Sequence, residues 1–225
     1  MQLNESDSTF RSIFEQIKSI YSNVCQNITF IDPTHSPEKP ESDLVNANIK
    51  FDEVLRFTDK TVSSNDGYPA ADADGFTINF IRGGNPASAI FLKSSAAGIT
   101  ENDSPDLYWL IQTLFLHHEL MHAQDLKLGK NFNLANKTVD LVKAEVYADV
   151  KTLRFFDNFR KDGGEPFRNM YATGILGREK SPIYTRIFNG IIKTFPQARL
   201  RAWASASLIS PENNKNPTKT HPAEL

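Results

Sequence analysis

Residues 104–129 carry the longest unbroken helical pattern in the chain, and the rest of the molecule has to be built around it. Apolar residues recur at Leu107, Leu110, Ile111, Leu114 and Phe115, at the three- and four-residue spacings of one helix face. Ser104 can cap the start, Pro105 suits the first helical position, and Asp106 suits the first turn. Gly129 is a natural stop. An apolar face of this kind has to be buried against other elements.

The flanking sequence offers such partners. Residues 9–26 read as an amphipathic helix on Phe10, Phe14, Ile17, Tyr21 and Val24, followed by a strand over residues 27–31. Residues 32–43, with Pro33, Pro37 and Pro40, read as a loop, and residues 47–51 as an extended stretch. Asn65-Asp66-Gly67 and Asp74-Gly75 are turn signals. Asp72-Ala73-Asp74-Gly75 fails as a calcium loop, because Ile81 stands where that loop needs a Glu. Strands follow at residues 76–81 and 89–92, with Gly83-Gly84 between them. Beyond Gly129 helices are expected over residues 138–160, from near Pro166, and from Ser181-Pro182. The order is α+β: a small N-terminal mixed sheet, a central helix and a C-terminal helical part. One domain over residues 1–209 and a polar, Pro-containing tail at residues 210–225 are expected.

Composition narrows the partners. At 40% hydrophobic and 23% charged residues, this is an ordinary globular composition. A net charge of −2 and the lack of a basic recognition helix argue against a nucleic-acid partner. No apolar run approaches the roughly 20 residues of a membrane span. Residues 1–7 lack a charged n-region followed by an apolar stretch, so a cytoplasmic location is expected; secretion by a signal-independent route would leave the same trace. Cys25 is the single cysteine, so no internal disulfide forms, and a small apolar role on a helix is expected for it.

The chemistry sits at the end of the apolar stripe. His118-Glu119-Leu120-Met121-His122 is an H-E-x-x-H sequence. Residues four apart stack on one helix face, so two imidazoles can reach one zinc ion. Glu119 turns about 100° from His118, which sets it beside the ion, within reach of a water there. A catalytic zinc takes three protein ligands, and the next helix offers Glu145, with Asp149 as the rival for that position. Asp149, one turn on, is otherwise suited to accept the free ring N–H of His118. Small Ala144 and Ala148 would let the two helices approach closely. The plain alternatives are a pair of satisfied histidines and two solvated helix carboxylates. His117 points to another face, Asp125 is expected to be exposed, and Phe155, Phe156 and Phe159 are expected in the core.

H-E-x-x-H at His118–His122 followed by E-x-x-x-D at Glu145–Asp149 resembles the gluzincin branch of the zincin metallopeptidases, over roughly residues 75–160. The resemblance implies a zincin-like fold and a metalloendopeptidase with one zinc ion on His118, His122 and Glu145. It also implies a protein or peptide substrate bound in extended form along an edge strand. Glu119 would be the general base, passing a proton from water to the leaving amine. Size and compact layout are similar to small bacterial effector metalloproteases, which implies a host protein as substrate and virulence as the setting. The metzincin G-x-x-H continuation is missing after His122. A donor for the developing oxyanion is expected from Arg168, Tyr171, Tyr184 or Arg186, with Tyr171 preferred. The competing functions are an inactive zincin-like binding protein and a regulatory sensor protease.

Overall fold

A computed structural model describes residues 9–35, 39–59, 74–95, 97–159, 163–177 and 182–207. The amphipathic first segment forms α1 (Thr9–Ile20), with Ile13, Phe14 and Ile17 buried. It ends before residue 26, because tight turns at Tyr21–Cys25 take over the backbone hydrogen bonds. Cys25 therefore lies past the helix, where its buried thiol donates to the Ser88 carbonyl at 3.2 Å.

Strand β1 (Asn27–Ile31) appears as the alternation predicts. Pro40, expected in a loop, instead starts α2 (Pro40–Asn46), since proline is tolerated where a helix has no N–H to satisfy. The extended stretch expected at residues 47–51 is displaced to the short β2 (Glu53–Val54), after which come β3 (Thr58–Asp59), β4 (Gly75–Arg82) and β5 (Asn85–Lys93). Both Gly83 and Gly84 have positive φ, which the two-residue turn of the β4–β5 hairpin requires. The turn expected at residues 65–67 and the tail at residues 210–225 lie outside the described residues.

The main sheet runs β1-β5-β4-β2, with β1 parallel to β5 and the other pairs antiparallel. Alternation separates its faces. Ile90 and Leu92 turn toward the helices, whereas Ile78, Phe80, Ala89 and Phe91 join Leu44, Ile49 and Val54 on the other side.

On the helical side lies α3 (Pro105–Leu128), ended by Gly129 in the left-handed conformation at φ 59°. The sequence suggests one apolar face, but α3 is buried nearly all round, packed by the sheet, α1 and the following helices. Asp125 is accordingly buried, holding Asn131 through its backbone N–H at 3.1 Å and its Nδ2 at 2.7 Å. His117 is buried too, between Thr152 and Tyr21.

The polar stretch after α3 contains a hairpin, β6 (Phe132–Asn133) and β7 (Thr138–Val139), which joins β3 in a second small sheet of order β3-β7-β6. The second helix is therefore shorter than residues 138–160. It is α4 (Leu141–Asn158), capped by Asp140, whose side chain accepts the Lys143 N–H. Then come α5 (Glu165–Gly177), α6 (Pro182–Ile191) and α7 (Gln197–Ser207). Helix α4 packs along α3, α5 and α6 pack on α4, and α7 covers α5. The molecule is α+β, and among the described residues no helix is long and apolar enough to cross a membrane.

Candidate metal centre

The site forms where α3, α4 and β4 meet. Their close approach rests on small residues: Ala144 and Ala148 are fully buried at the α3–α4 contact. On β4, a side chain at Gly75 would meet Leu92 at 3.0 Å and Glu119 at 3.5 Å, so glycine lets the strand lie against the helix.

The imidazoles of His118 and His122 present Nε2 atoms 3.1 Å apart. From the facing helix, Glu145 Oε2 lies 3.3 Å from His118 Nε2, and Oε1 lies 3.4 Å from His122 Nε2. Four ligands at about 2.0–2.1 Å in a tetrahedron stand about 3.3 Å from one another. Each of the three spacings is close to that value, with one Glu145 oxygen facing each ring, so this donor set is compatible with a divalent ion. Metal-ligating atoms of His118, Glu119 and His122 also lie within 4.8 Å of one another, which puts Glu119 beside the same point. Glu119 and Glu145 are both near enough to be the carboxylate donor. Glu145 reaches both rings from across the cleft, whereas the Glu119 carboxylate is held on its other side by a 2.7 Å hydrogen bond from the Thr77 hydroxyl. That second contact was invisible in the sequence, because only the β4–α3 packing brings Thr77 to the motif.

Behind His118 the arrangement differs from expectation. Asp149 Oδ1 lies 3.3 Å from His118 Nδ1, but the closer neighbour is the Tyr171 hydroxyl at 2.6 Å. The same hydroxyl donates to Asp149 Oδ1 at 2.6 Å. A phenol has one hydrogen, so Tyr171 accepts from His118 Nδ1–H while it donates to Asp149. Tyr171, expected as an oxyanion donor, lines the cleft, and its hydroxyl is here engaged on the Nδ1 side of the ring, opposite the Nε2 atom that faces the cluster. Arg168 is turned away as well, buried against Asp157 at 3.1 Å and against the Trp203 ring. Tyr184 lines the cleft, and Arg186 is not among the residues lining it.

Charge distribution follows the geometry. Burial works against a charge on His118, but hydrogen bonds to Asp149 and Glu145 outweigh it and raise the group to about 10. His122 is raised in the same way, and Glu145 is held well below the usual carboxylate range by the two histidines despite its burial. Burial, reinforced by the neighbouring His118, keeps His117 neutral, down at about 3.

A cleft of about 560 Å³ opens onto the cluster. Its walls include Phe57, Phe76, Phe115, Phe132 and Leu141, with Thr77, His118, Glu119, His122 and Glu145 at the base. Fold and site together define an α+β protein with a buried His–Glu–His group able to hold a metal ion at the foot of an open cleft. No family model matches the chain, and neither a curated protein nor a solved structure was found that resembles it.

Proposed function

We propose that the protein is a zinc-dependent peptidase of the gluzincin type, with the ion on His118, His122 and Glu145 and with Glu119 as the general base. What carries the reading is the convergence of three donors at ligand spacing, with a fourth group beside them, the Glu119 carboxylate, that is held by a strand rather than by the other ligands. Two imidazoles and a carboxylate favour zinc among the divalent ions. Bound zinc supplies Lewis acidity and lowers the pKa of water to about 7.

The chain's own groups supply the remainder. His118 and Glu145 arrive from facing helices, so the open side of the cluster is the cleft. Glu119 takes a proton from water on that side and hands it to the departing amine. Gly75 and Thr77 lie on the part of β4 that β2 leaves unpaired, beside Glu119, where an extended peptide can add as a further strand. The substrate is accordingly a protein or peptide; a host protein and delivery into a host cell come from the effector likeness. A protein that only bound its partner would have no use for a buried carboxylate braced by Thr77.

The decisive experiment compares wild type with Glu119→Gln. Metal analysis should return one zinc per chain for both, and hydrolysis of a denatured protein pool should occur with wild type alone and stop with chelator. Equal hydrolysis by both proteins, or no metal in either, would sink the reading.

A further inference from the structure

We propose that the cleft is blind at one end and takes the amino-terminal end of a polypeptide rather than its interior. The inference rests on the peptidase reading and names its substrate class; it replaces the expectation of internal cutting.

The closed end is made by the chain itself. On one side of β4, Lys93 N–H donates to the Asp74 carbonyl; on the other, Leu55 and Asp52 N–H groups donate to the carbonyls of Asn79 and Ile81, each at 2.8 Å. Backbone groups of alternate residues face alternate edges. Gly75 and Thr77 therefore face the same lane that β2 occupies further along, where β2 pairs with Phe80 and Ile81. Among the described residues no strand fills that lane beside Gly75 and Thr77.

After Leu55 the chain leaves the lane. Residues 55–57 carry it across to β3, which pairs with β7 at the start of α4. There Asp59 Oδ1 accepts the Leu141 N–H at 3.3 Å, and the Phe57 ring packs on Phe132 at 5.0 Å. Three residues span at most about 11 Å, so the crossing is a short strap from the sheet edge to the helix that carries Glu145. Val54, Leu55, Arg56 and Phe57 all line the cleft. A polypeptide extended along Gly75 and Thr77 would run into this strap.

Polarity follows from pairing. Antiparallel ladders are slightly more stable per residue than parallel ones, and β2 already pairs that way with this edge. A ligand antiparallel to β4 runs in the direction of β2, so its first residue is the one that abuts Leu55. Thr77 holds Glu119, which puts the bond to be cut opposite Thr77, two positions along β4 from Asn79. At 3.3–3.4 Å per residue that leaves roughly 7 Å of lane, room for about one or two residues ahead of the cut. Among the described residues lining the cleft Arg56 is the only Lys or Arg, and its guanidinium is paired with Glu41, so the strap sets no unbalanced positive charge against an amino terminus.

The test uses the full-length protein loaded with zinc and unstructured peptides in two forms, one with a folded domain fused at the amino end and one with the same domain at the carboxyl end. Products are read by mass spectrometry, with Glu119→Gln as control. Peptides with a free amino end should lose one or two residues from that end, and amino-fused peptides should stay intact. Internal cuts, cutting of the amino-fused form, or trimming from the carboxyl end would each overturn the blind-end inference while leaving the peptidase reading standing. No product from any peptide, with zinc shown to be bound, overturns that reading and takes the inference with it.

Discussion

At the scale of single residues, Tyr171 is the informative one. Its hydroxyl stands between the His118 imidazole and the buried Asp149 carboxylate, with 2.6 Å to each. Accepting from Nδ1–H keeps the hydrogen on Nδ1, which leaves the Nε2 lone pair available for an ion. Tyr171→Phe removes that acceptor and leaves Asp149 3.3 Å away, too far for a strong bond without rearrangement. Metal affinity should fall by roughly tenfold or more, the usual cost of losing an outer partner of a ligating histidine. Chelator competition measures it, and an unchanged affinity would return Tyr171 to the role of a substrate-facing donor. Thr77 acts differently: Thr77→Val should leave metal affinity alone, because among the described residues its hydroxyl bonds to Glu119 and to neither imidazole.

At the scale of elements, the site depends on how α4 is started and how closely it is packed. Asp140 caps α4 by accepting the Lys143 N–H at 3.0 Å, five residues before Glu145. Asp140→Ala should cost about 1 kcal/mol in denaturant unfolding. On the other flank, α6 approaches α4 through Gly190, where an added Cβ would stand 2.5 Å from Val146 Cγ2. Val146 is branched at Cβ and has little freedom to move aside. Gly190→Ala should therefore destabilise by about 1–3 kcal/mol. Combining it with Val146→Ala should recover part of that loss, and a double-mutant cycle reads the coupling. Additivity of the two would show that the helices are not in contact there.

At the scale of the whole molecule, the proposed metal site would tie stability to metal and pH. An ion bound by groups from α3 and α4 favours the folded chain, by about 4 kcal/mol at a thousandfold excess over Kd. Removing it should lower Tm. In the metal-free protein the folded-state pKa of His118, about 10, lies above the ordinary histidine value of 6.5. Its contribution is fully present below that lower value and is lost as pH rises through about 10. His117 has the opposite sign: lowered to about 3, it costs stability as pH falls below 6.5. Urea midpoints of metal-free protein should thus decline between neutral pH and pH 10, and the metal-loaded protein, whose His118 is already neutral, should show a shallower decline. Equal slopes would mean that His118 is not held as a cation.

Much of this was legible in the residues because it depends on local periodicity. The long central helix, the β4–β5 hairpin around Gly83-Gly84, and the pair His118 and His122 on one face each follow from spacing within a few residues. The approach of Glu145 to the two imidazoles was expected one level up, since it is the first carboxylate within the returning helix. What the sequence could not declare depends on contacts between distant segments. Thr77 reaches Glu119 across 42 positions, and Tyr171 reaches His118 across 53. No periodicity reports such contacts. The short strands β2, β3, β6 and β7 are two residues each, too brief for any alternation to show. The sequence by itself brought His118, Glu119 and His122 together on one stretch of helix, a group that could hold an ion. Only the packing of strand against helix decided which groups brace them, and whether the cleft above them is open at both ends.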